Sequence, residues 1–242
     1  KIGSEFKVNT YTSSSQTTPE LAFDSQDNFI ITWASYQDGS GFGIYGQRFD
    51  LNGNKIGGEI QVNTYTQDHQ EDPVIAIGPN GNFVISWESG NQDGPGSAVV
   101  AQRFDLNGNK IGNEIIVNTF TTGNQLDPDI AMDSQGKFII VWASEPQDLS
   151  GEGVFAQRFD LNGNKIGSEF KVNVGESGDQ ETPQIKMDRN GNFIITWGDW
   201  RRGNGEIYAQ RYDSNANKIG NEIIVNDYII DIQKNPDITI LP

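Results

Sequence analysis

The 242-residue sequence contains no cysteine and a single histidine, His69. Without cysteine there are no disulfides, no thiol catalysis and no thiolate metal sites. With one histidine, the usual nucleophile–base arrangements of hydrolytic enzymes are nearly excluded. No run of about 18 apolar residues is present, so membrane insertion is not expected. The sequence starts inside a repeat motif without a signal peptide, as expected of a mature or excised segment.

Basic residues are also scarce. Seventeen Lys and Arg against 33 Asp and Glu give a formal net charge of −16. Binding to nucleic acid depends on Lys and Arg that neutralise phosphates, so nucleic acid and anionic membranes are unsuitable partners. The acidic surface is explained either by the need to keep a repetitive β-protein soluble or by cation binding.

An internal repeat dominates the sequence. The tripeptide Lys-Ile-Gly, followed by an acidic residue and then Val-Asn, recurs at spacings of 54, 55, 55 and 53 residues. Such a period indicates one supersecondary unit that is copied and stacked. The copies begin at Lys1, Lys55, Lys110, Lys165 and, for a partial copy, Lys218.

Each complete period contains four short β-runs separated by turn residues. The run at 28–33 is largely apolar on both faces, which is typical of a sheet covered on both sides. The run Glu5–Val8 alternates between apolar and charged residues, as expected of an outer strand. These runs predict an all-β fold, a β-propeller of four-stranded antiparallel blades with four complete repeats and a partial fifth. Residues 1–242 are expected to form a single propeller domain.

Two structural questions stay open at this stage. A parallel β-solenoid is the alternative fold, but turns such as Asn52-Gly53 favour antiparallel neighbours. For closure of the ring, we expect residues 1–9 to pair with the last blade, which leaves residues 218–242 free to pair with another copy. A ring of five blades is disfavoured because its fifth blade would lack both middle strands.

One face of the propeller carries the loops that differ between copies, and loops on a rigid scaffold are the usual place for binding. Repeated Gln-Asp pairs in these loops are candidates for holding sugar hydroxyls or a cation, and Trp200 is a candidate stacking platform. The alternative is that these residues only shape tight loops. The candidate ligand-binding residues are Tyr36, Gln37, Asp38, Gln92, Asp93, Gln147, Asp148, Asp199, Trp200 and Arg201.

Calcium (Ca²⁺) is the one cofactor that the sequence suggests, because the Asp-x-Asn-Gly-Asn turns are similar to the start of a calcium loop. A calcium loop needs a bidentate Glu at its twelfth position, whereas Glu59 falls tenth from Asp50. Plain hairpin turns are therefore favoured. The arginines in the third run are expected to be buried or inter-blade partners of nearby acids: Arg48, Arg103, Arg158 and Arg211.

The repeat resembles tandem repeats of roughly fifty residues found in very large secreted or cell-surface bacterial proteins. The residues that carry this resemblance are Trp33-Ala34-Ser35, Ile44–Asp50 and Val62-Asn63-Thr64. The resemblance implies an extracellular adhesive or scaffolding role. Such repeats often accompany calcium-binding nonapeptide arrays, but no Gly-Gly-x-Gly-x-Asp nonapeptide occurs here. At the level of fold alone, the pattern is also similar to propeller lectins.

These observations favour a non-catalytic extracellular binding or adhesive module that presents repeated sites to glycans or another surface polymer. The alternative is a structural building block that forms a homo-oligomer or filament through its surplus terminal strands. A second alternative is a glycosidase, which needs two unlike carboxylates beside a cleft. The acids available for such a pair are Asp68, Glu71, Asp199 and Glu206. Because most acids are replicated between copies, the sequence predicts no enzyme and no catalytic residue.

Overall fold

The computed structural model of the protein describes residues 4–147, 151–175, 177–227 and 231–240. These ranges contain sixteen β-strands and no helix. The strands form four separate four-stranded sheets, each antiparallel and each built from consecutive strands. The prediction of an all-β propeller with four complete repeats is confirmed. None of the described residues belongs to a helix that could cross a membrane.

Each sheet is called a blade and is numbered in chain order. Blade 1 consists of β1 (Gln16–Phe23), β2 (Phe29–Ser35), β3 (Gly43–Phe49) and β4 (Lys55–Gln61). Blade 2 consists of β5 (Gln70–Ile77), β6 (Phe83–Gly90), β7 (Ser97–Phe104) and β8 (Lys110–Ile116). Blade 3 consists of β9 (Asn124–Met132), β10 (Phe138–Glu145), β11 (Gly153–Phe159) and β12 (Lys165–Lys171). Blade 4 consists of β13 (Gln180–Met187), β14 (Phe193–Asp199), β15 (Glu206–Tyr212) and β16 (Lys218–Ile224).

Three apolar cores lie between consecutive blades, which explains why the middle strands are apolar on both faces. The core between blades 1 and 2 contains Ile30 and Trp87, and the corresponding tryptophans Trp142 and Trp197 lie in the next two cores. All three indole side chains are fully buried. Aromatic stacking recurs between the two middle strands, with ring centroids 4.8 Å apart for Phe83 and Phe104.

The Asp-x-Asn-Gly-Asn segments are hairpin turns, as expected. Asp50 Oδ1 accepts the backbone N–H groups of Asn52 at 2.9 Å and of Asn54 at 2.8 Å, and the Asn54 side-chain amide donates to Asp50 Oδ2 at 2.8 Å. These bonds hold the pKa of the Asp50 carboxyl below its ordinary value. Gly53 supplies the positive φ, 80°, that the turn requires. The turn thus uses the carboxylate that a calcium loop would need as a ligand.

The expected role of the mid-strand arginines is confirmed in part. In blades 1 to 3 their side chains do cross to the next blade, but they donate to backbone carbonyls of its turn and not to acids, whereas Arg211 in blade 4 is exposed. Arg48 Nη1 donates to the carbonyl of Asn107 at 2.8 Å, and Arg158 Nη1 donates to that of Asn215 at 2.7 Å. The aspartate of each turn is already bonded within the turn, which leaves the carbonyl as the available acceptor.

The expected closure of the ring is wrong. Blade 4 is completed by its own outer strand, β16, so residues 4–9 do not pair with it. The C-terminal segment instead reaches the propeller axis, where Asn235 and Pro236 line the same cavity as the inner strands of the four blades. The inner strands therefore occupy four of five positions around the axis, and residues 231–240 take the fifth.

Candidate active site

A cavity of about 420 Å³ lies on the propeller axis. A volume of this size falls within the range of small-molecule sites. Equivalent residues from the inner strands form its wall, so the cavity is built by the repeat itself. Its lining residues include Thr18, Pro19, Glu20, Asp72, Pro73, Asp127, Pro128, Thr182, Asn235 and Pro236.

The residue that precedes each axial proline adopts a left-handed backbone conformation. Its φ is 45° at Thr18, 49° at Asp72, 51° at Asp127, 49° at Thr182 and 55° at Asn235. In each blade the pairing of the inner strand shifts register near this residue, as in a β-bulge. Such a conformation is costly for a residue with a β-carbon, and strained positions of this kind cluster at functional sites.

The five copies differ in the side chain at this strained position. Blades 2 and 3 place carboxylates there, Asp72 and Asp127, where the other copies have Thr18, Thr182 and Asn235. Burial raises the pKa of Asp72. Burial and, after it, the negative charge of Asp72 raise the pKa of Asp127. Burial therefore raises the pKa of both acids on the wall of this cavity.

Glu88 on β6 is a further acid between blades 2 and 3, next to the cavity wall but not among the residues that line the cavity. The equivalent positions hold only Ala34, Ala143 and Gly198, so this acid is unique to blade 2. Glu88 Oε1 accepts the backbone N–H of Asp127 at 2.7 Å. Burial, with a contribution from the charge of Asp72, raises the pKa of Glu88 to about 8. At neutral pH the Glu88 carboxyl consequently keeps its proton.

Glu152 extends the acidic region toward blade 4. Burial and the nearby charge of Asp179 raise the pKa of Glu152 to about 7, and Asp127 contributes to the same shift. Glu152 immediately precedes β11, at the position that Phe42 occupies in blade 1.

These acids can supply both halves of acid–base catalysis. Glu88 is a buried proton donor at neutral pH, and Asp72 and Asp127 are carboxylates on the wall of an open cavity. Hydrolysis of a glycosidic bond requires one acid that donates a proton and a second that is ionised; burial raises the pKa of all three of these groups. In the described part of the chain, no three or more His, Asp or Glu side chains are grouped so as to hold a metal ion. The suggested calcium site thus gains no support.

The repeated glutamines of the predicted site are engaged in contacts within their own blades. Gln92 Nε2 donates to Glu114 at 2.8 Å, and its Oε1 accepts the Ser89 hydroxyl at 2.6 Å. Gln147 makes the same two contacts with Glu169 and Ser144 at 2.7 and 2.9 Å. In blade 1, Gln37 hydrogen bonds the Tyr45 hydroxyl. These amides fix the loops to the outer strands.

The predicted aspartates and Tyr36 lie in separate blades and are not brought together. Asp93 accepts the Asn118 side-chain amide at 2.6 Å, and Asp38 accepts the Ser40 backbone N–H at 3.1 Å. Tyr36 is exposed and packs edge-on against Phe42, with ring centroids 5.4 Å apart. Asp148 lies outside the described residues.

In blade 4 an ion pair replaces the Ser–Gln contact of blades 2 and 3. Arg201 Nε donates to the buried Asp199 at 2.8 Å, and Arg201 Nη1 donates to Glu222 at 3.0 Å. The Trp200 indole donates to Glu181 at 2.9 Å, so it packs within the blade. These contacts are those expected of residues that shape a loop.

Of the four acids suggested from the sequence, Asp199 and Glu206 are brought together as buried partners on the paired strands β14 and β15, but each lies beside an arginine. Asp199 is paired with Arg201, and Glu206 lies 3.7 Å from Arg202. Glu71 lies 3.7 Å from His69, and Asp68 accepts the Asn91 side-chain amide at 3.1 Å. The acids that do line the axial cavity were passed over because the search was directed at the loops. The signal that could have found Glu88 was its replacement by alanine or glycine in every other complete copy.

Solved structures share the fold of this protein. A Dyadobacter fermentans protein of unknown function aligns with a TM-score of 0.64 and 12% identity, over 90% of this chain and 67% of the other. An endo-arabinase from Bacteroides thetaiotaomicron aligns with a TM-score of 0.56 and 15% identity, over 93% and 85% of the two chains. The catalytic domain of an α-L-arabinofuranosidase from Coprinopsis cinerea gives a TM-score of 0.53 and 9% identity, over 91% and 72%. At these identities the likeness establishes the fold, a β-propeller.

These structures contradict the interpretation of the chain as a non-catalytic binding module and the prediction that it is not an enzyme. Two of the three structures described above are named as glycoside-cleaving enzymes. No protein-family model matches the sequence, and no curated protein is significantly similar to it. The resemblance to tandem repeats of bacterial surface proteins, and the extracellular location that it implies, therefore stay predictions.

Proposed function

We propose that this protein is a glycoside hydrolase whose active site is the axial cavity. The observation that carries the proposal is the buried Glu88, which only blade 2 has and whose Oε1 accepts the backbone N–H of Asp127 on the cavity wall at 2.7 Å. Asp127 and Asp72 both line the cavity. The named activities of the endo-arabinase and the arabinofuranosidase support a saccharide as the substrate.

In this mechanism Glu88 is the general acid. It donates its proton to the glycosidic oxygen as the bond to the anomeric carbon breaks. The second group is Asp72 or Asp127, which in its ionised form either attacks the anomeric carbon or activates a water molecule. In the first route Glu88 takes its proton back from the water that hydrolyses the glycosyl-enzyme. In the second route the aspartate takes the proton of the attacking water, and proton exchange with solvent returns both acids to their starting states.

The activity test uses a panel of aryl glycosides and polysaccharides that includes arabinofuranosides, galactosides, mannosides and arabinan. We expect one substrate class to be hydrolysed, and Glu88→Gln to lower kcat on it by about 10²- to 10⁴-fold. The loss should be much smaller on a dinitrophenyl glycoside, because that leaving group departs without a proton. Only a general acid gives this dependence on the leaving group.

Matched variants assign the other carboxylate. Asp72→Thr and Asp127→Thr place at these positions the residue found at Thr18 and Thr182, so the strained backbone keeps a side chain that the fold already accepts. Asp27→Asn removes an exposed carboxylate between β1 and β2 and should leave kcat unchanged. If no glycoside is hydrolysed, the proposal is wrong. If Glu88→Gln retains full activity on all leaving groups, Glu88 is not the acid.

A further inference from the structure

Three aromatic rings form a cluster on the face that carries the variable loops, where blades 1 and 2 meet. This aromatic cluster consists of Tyr36 and Phe42, from the loop between β2 and β3, and His69, which lies just before β5. Tyr36 meets Phe42 edge-on with ring centroids 5.4 Å apart, and the His69 ring lies 6.4 Å from Tyr36 and 5.7 Å from Phe42. Tyr36 is 47% exposed and the His69 side chain is 55% exposed. Two of the packed rings are therefore open to solvent.

Backbone contacts hold the His69 ring in place. The carbonyl of His69 accepts the N–H of Gly90 at 2.8 Å, and the Nδ1 of its ring accepts the N–H of Phe42 at 3.5 Å. A β-carbon at Gly41 would lie 2.5 Å from the carbonyl oxygen of Asp68, so glycine is what lets the two loops approach this closely. Because Nδ1 is an acceptor, the proton of the neutral imidazole is on Nε2, where it can be donated to a ligand hydroxyl.

The three rings occur together at one of the three junctions between complete blades. The equivalent positions hold Gly90, Ser97 and Asn124 between blades 2 and 3, and Glu145, Glu152 and Asp179 between blades 3 and 4. The second and third strands of these blades pair as β2 and β3 do, so the pairing does not depend on aromatic side chains here. Exposed rings that the fold does not require indicate a binding surface.

The aromatic cluster adjoins the acids of the proposed active site. Glu71 Oε1 lies 3.7 Å from His69 Nδ1, and Glu71 is directly opposite Glu88 in the pairing of β5 and β6. The next residue, Asp72, lines the axial cavity. Three residues of fully extended chain span at most about 11 Å, so the backbone of His69 lies within that distance of the cavity wall. A ligand that reaches from the cavity to the cluster therefore passes beside the acids.

The chemistry of the cluster suits a neutral sugar ring. The aromatic faces offer an apolar surface of fixed orientation, on which the C–H face of a sugar can lie. The Tyr36 hydroxyl, the His69 Nε2 and the Glu71 carboxylate supply donors and an acceptor for the hydroxyls at its edge. Asp68 and Glu71 stand one and two residues from His69 in a protein of net charge −16, so an anionic sugar would be repelled.

We infer that the aromatic cluster is a subsite that binds a sugar unit of the substrate chain away from the bond that is cleaved. The inference rests on the proposed function, and it makes the substrate a neutral oligosaccharide or polysaccharide. One unit lies in the axial cavity and another lies on the Tyr36 and His69 rings. Binding of the remote unit holds the glycosidic bond at the acids, so a chain is a better substrate than a single-sugar glycoside.

The single histidine of the sequence gives one set of imidazole signals in proton NMR, which report on the cluster directly. The probes are arabinohexaose, galactohexaose, mannohexaose and their monosaccharides, added to the Glu88→Gln protein so that hydrolysis is slow. We expect one hexasaccharide to shift the His69 signals saturably, and its monosaccharide to bind at least about ten-fold more weakly. Adding Tyr36→Ala should weaken hexasaccharide binding about ten-fold. Tyr36→Phe keeps the ring and should retain most of the affinity.

The matched control is Leu51→Ala, which removes an exposed apolar side chain from a turn of blade 1 on the opposite face. It should bind the hexasaccharide normally. Tyr36 and Leu51 are both exposed, so neither change is expected to unfold the protein. In the protein with Glu88 intact, Tyr36→Ala should raise KM about ten-fold on the polysaccharide that is hydrolysed, and much less on the aryl glycoside of the same sugar.

The results separate this inference from the proposed function. Hydrolysis of a polysaccharide whose hexasaccharide leaves the His69 signals unmoved would overturn the inference and leave the hydrolase standing. Unchanged affinity in Tyr36→Ala, or an equal loss in Leu51→Ala, would overturn it as well. A saturable shift that depends on Tyr36, without hydrolysis of any glycoside, would support the saccharide site and overturn the hydrolase.

Discussion

Replacing Glu88 with glutamine should remove a large part of the pH dependence of stability. Burial raises the pKa of Glu88 from an ordinary 4.5 to about 8 in the folded protein. The folded state therefore holds this proton more tightly than the unfolded chain does. The resulting stability is fully present below pH 4.5 and is lost as the pH rises through 8. Between pH 5 and pH 8.5 the loss is about 4 kcal/mol, at ~1.36 kcal/mol for each pKa unit.

Glutamine keeps the size of Glu88 and an oxygen that can accept the Asp127 N–H, but it does not titrate. The Glu88→Gln variant should match the wild type at pH 5 and exceed its stability at pH 8.5, by urea denaturation at both values. Asp27→Asn is the control and should follow the wild-type curve. Parallel profiles for the wild type and Glu88→Gln would refute the reasoning, because they would mean that Glu88 is already ionised in the folded state. The assignment of Glu88 as a general acid would then fail as well.

Two further predictions concern the scaffold. Arg201→Gln leaves the buried Asp199 without its cation and should cost about 3–5 kcal/mol in urea denaturation. The double variant Asp199→Ser/Arg201→Gln removes the buried carboxylate together with its cation and should recover most of that loss; if it does not, the ion pair is not the cause. In a carbon-detected NMR titration, Asp50, Asp105 and Asp213 should titrate below the ordinary value of 3.8, because each accepts hydrogen bonds within its turn. Midpoints at or above 3.8 would show that the turns are not formed in solution.

The architecture could be predicted from the sequence because the sequence pattern of each strand and turn occurs several times. The apolar run around Trp33 indicates a covered middle strand, and the Asn52-Gly53 turn indicates an antiparallel neighbour. Each of these patterns recurs in the other copies, so a pattern that arose by chance in one copy would not change the prediction. The structure places these elements as expected.

The closure of the ring could not be predicted in the same way. The repeat shows which position each strand takes within a blade, but it does not show which blade the terminal segments pack against. The prediction assumed that an unpaired strand must find a hydrogen-bonded partner in the last blade. In the structure Phe6 is held instead by packing against Phe49, and Gln233 is held by contacts to Gly205 and Asn226.

The candidate site was missed because attention to repetition favours the residues that recur. Gln92 and Gln147 recur, and the structure shows the contacts that require them to recur: each amide fixes a loop to a glutamate of an outer strand. Glu88 does not recur, and burying a carboxyl group where other copies have alanine is costly for the fold. A residue that occurs once in a repeat, at a cost in stability, is the better indicator of chemistry.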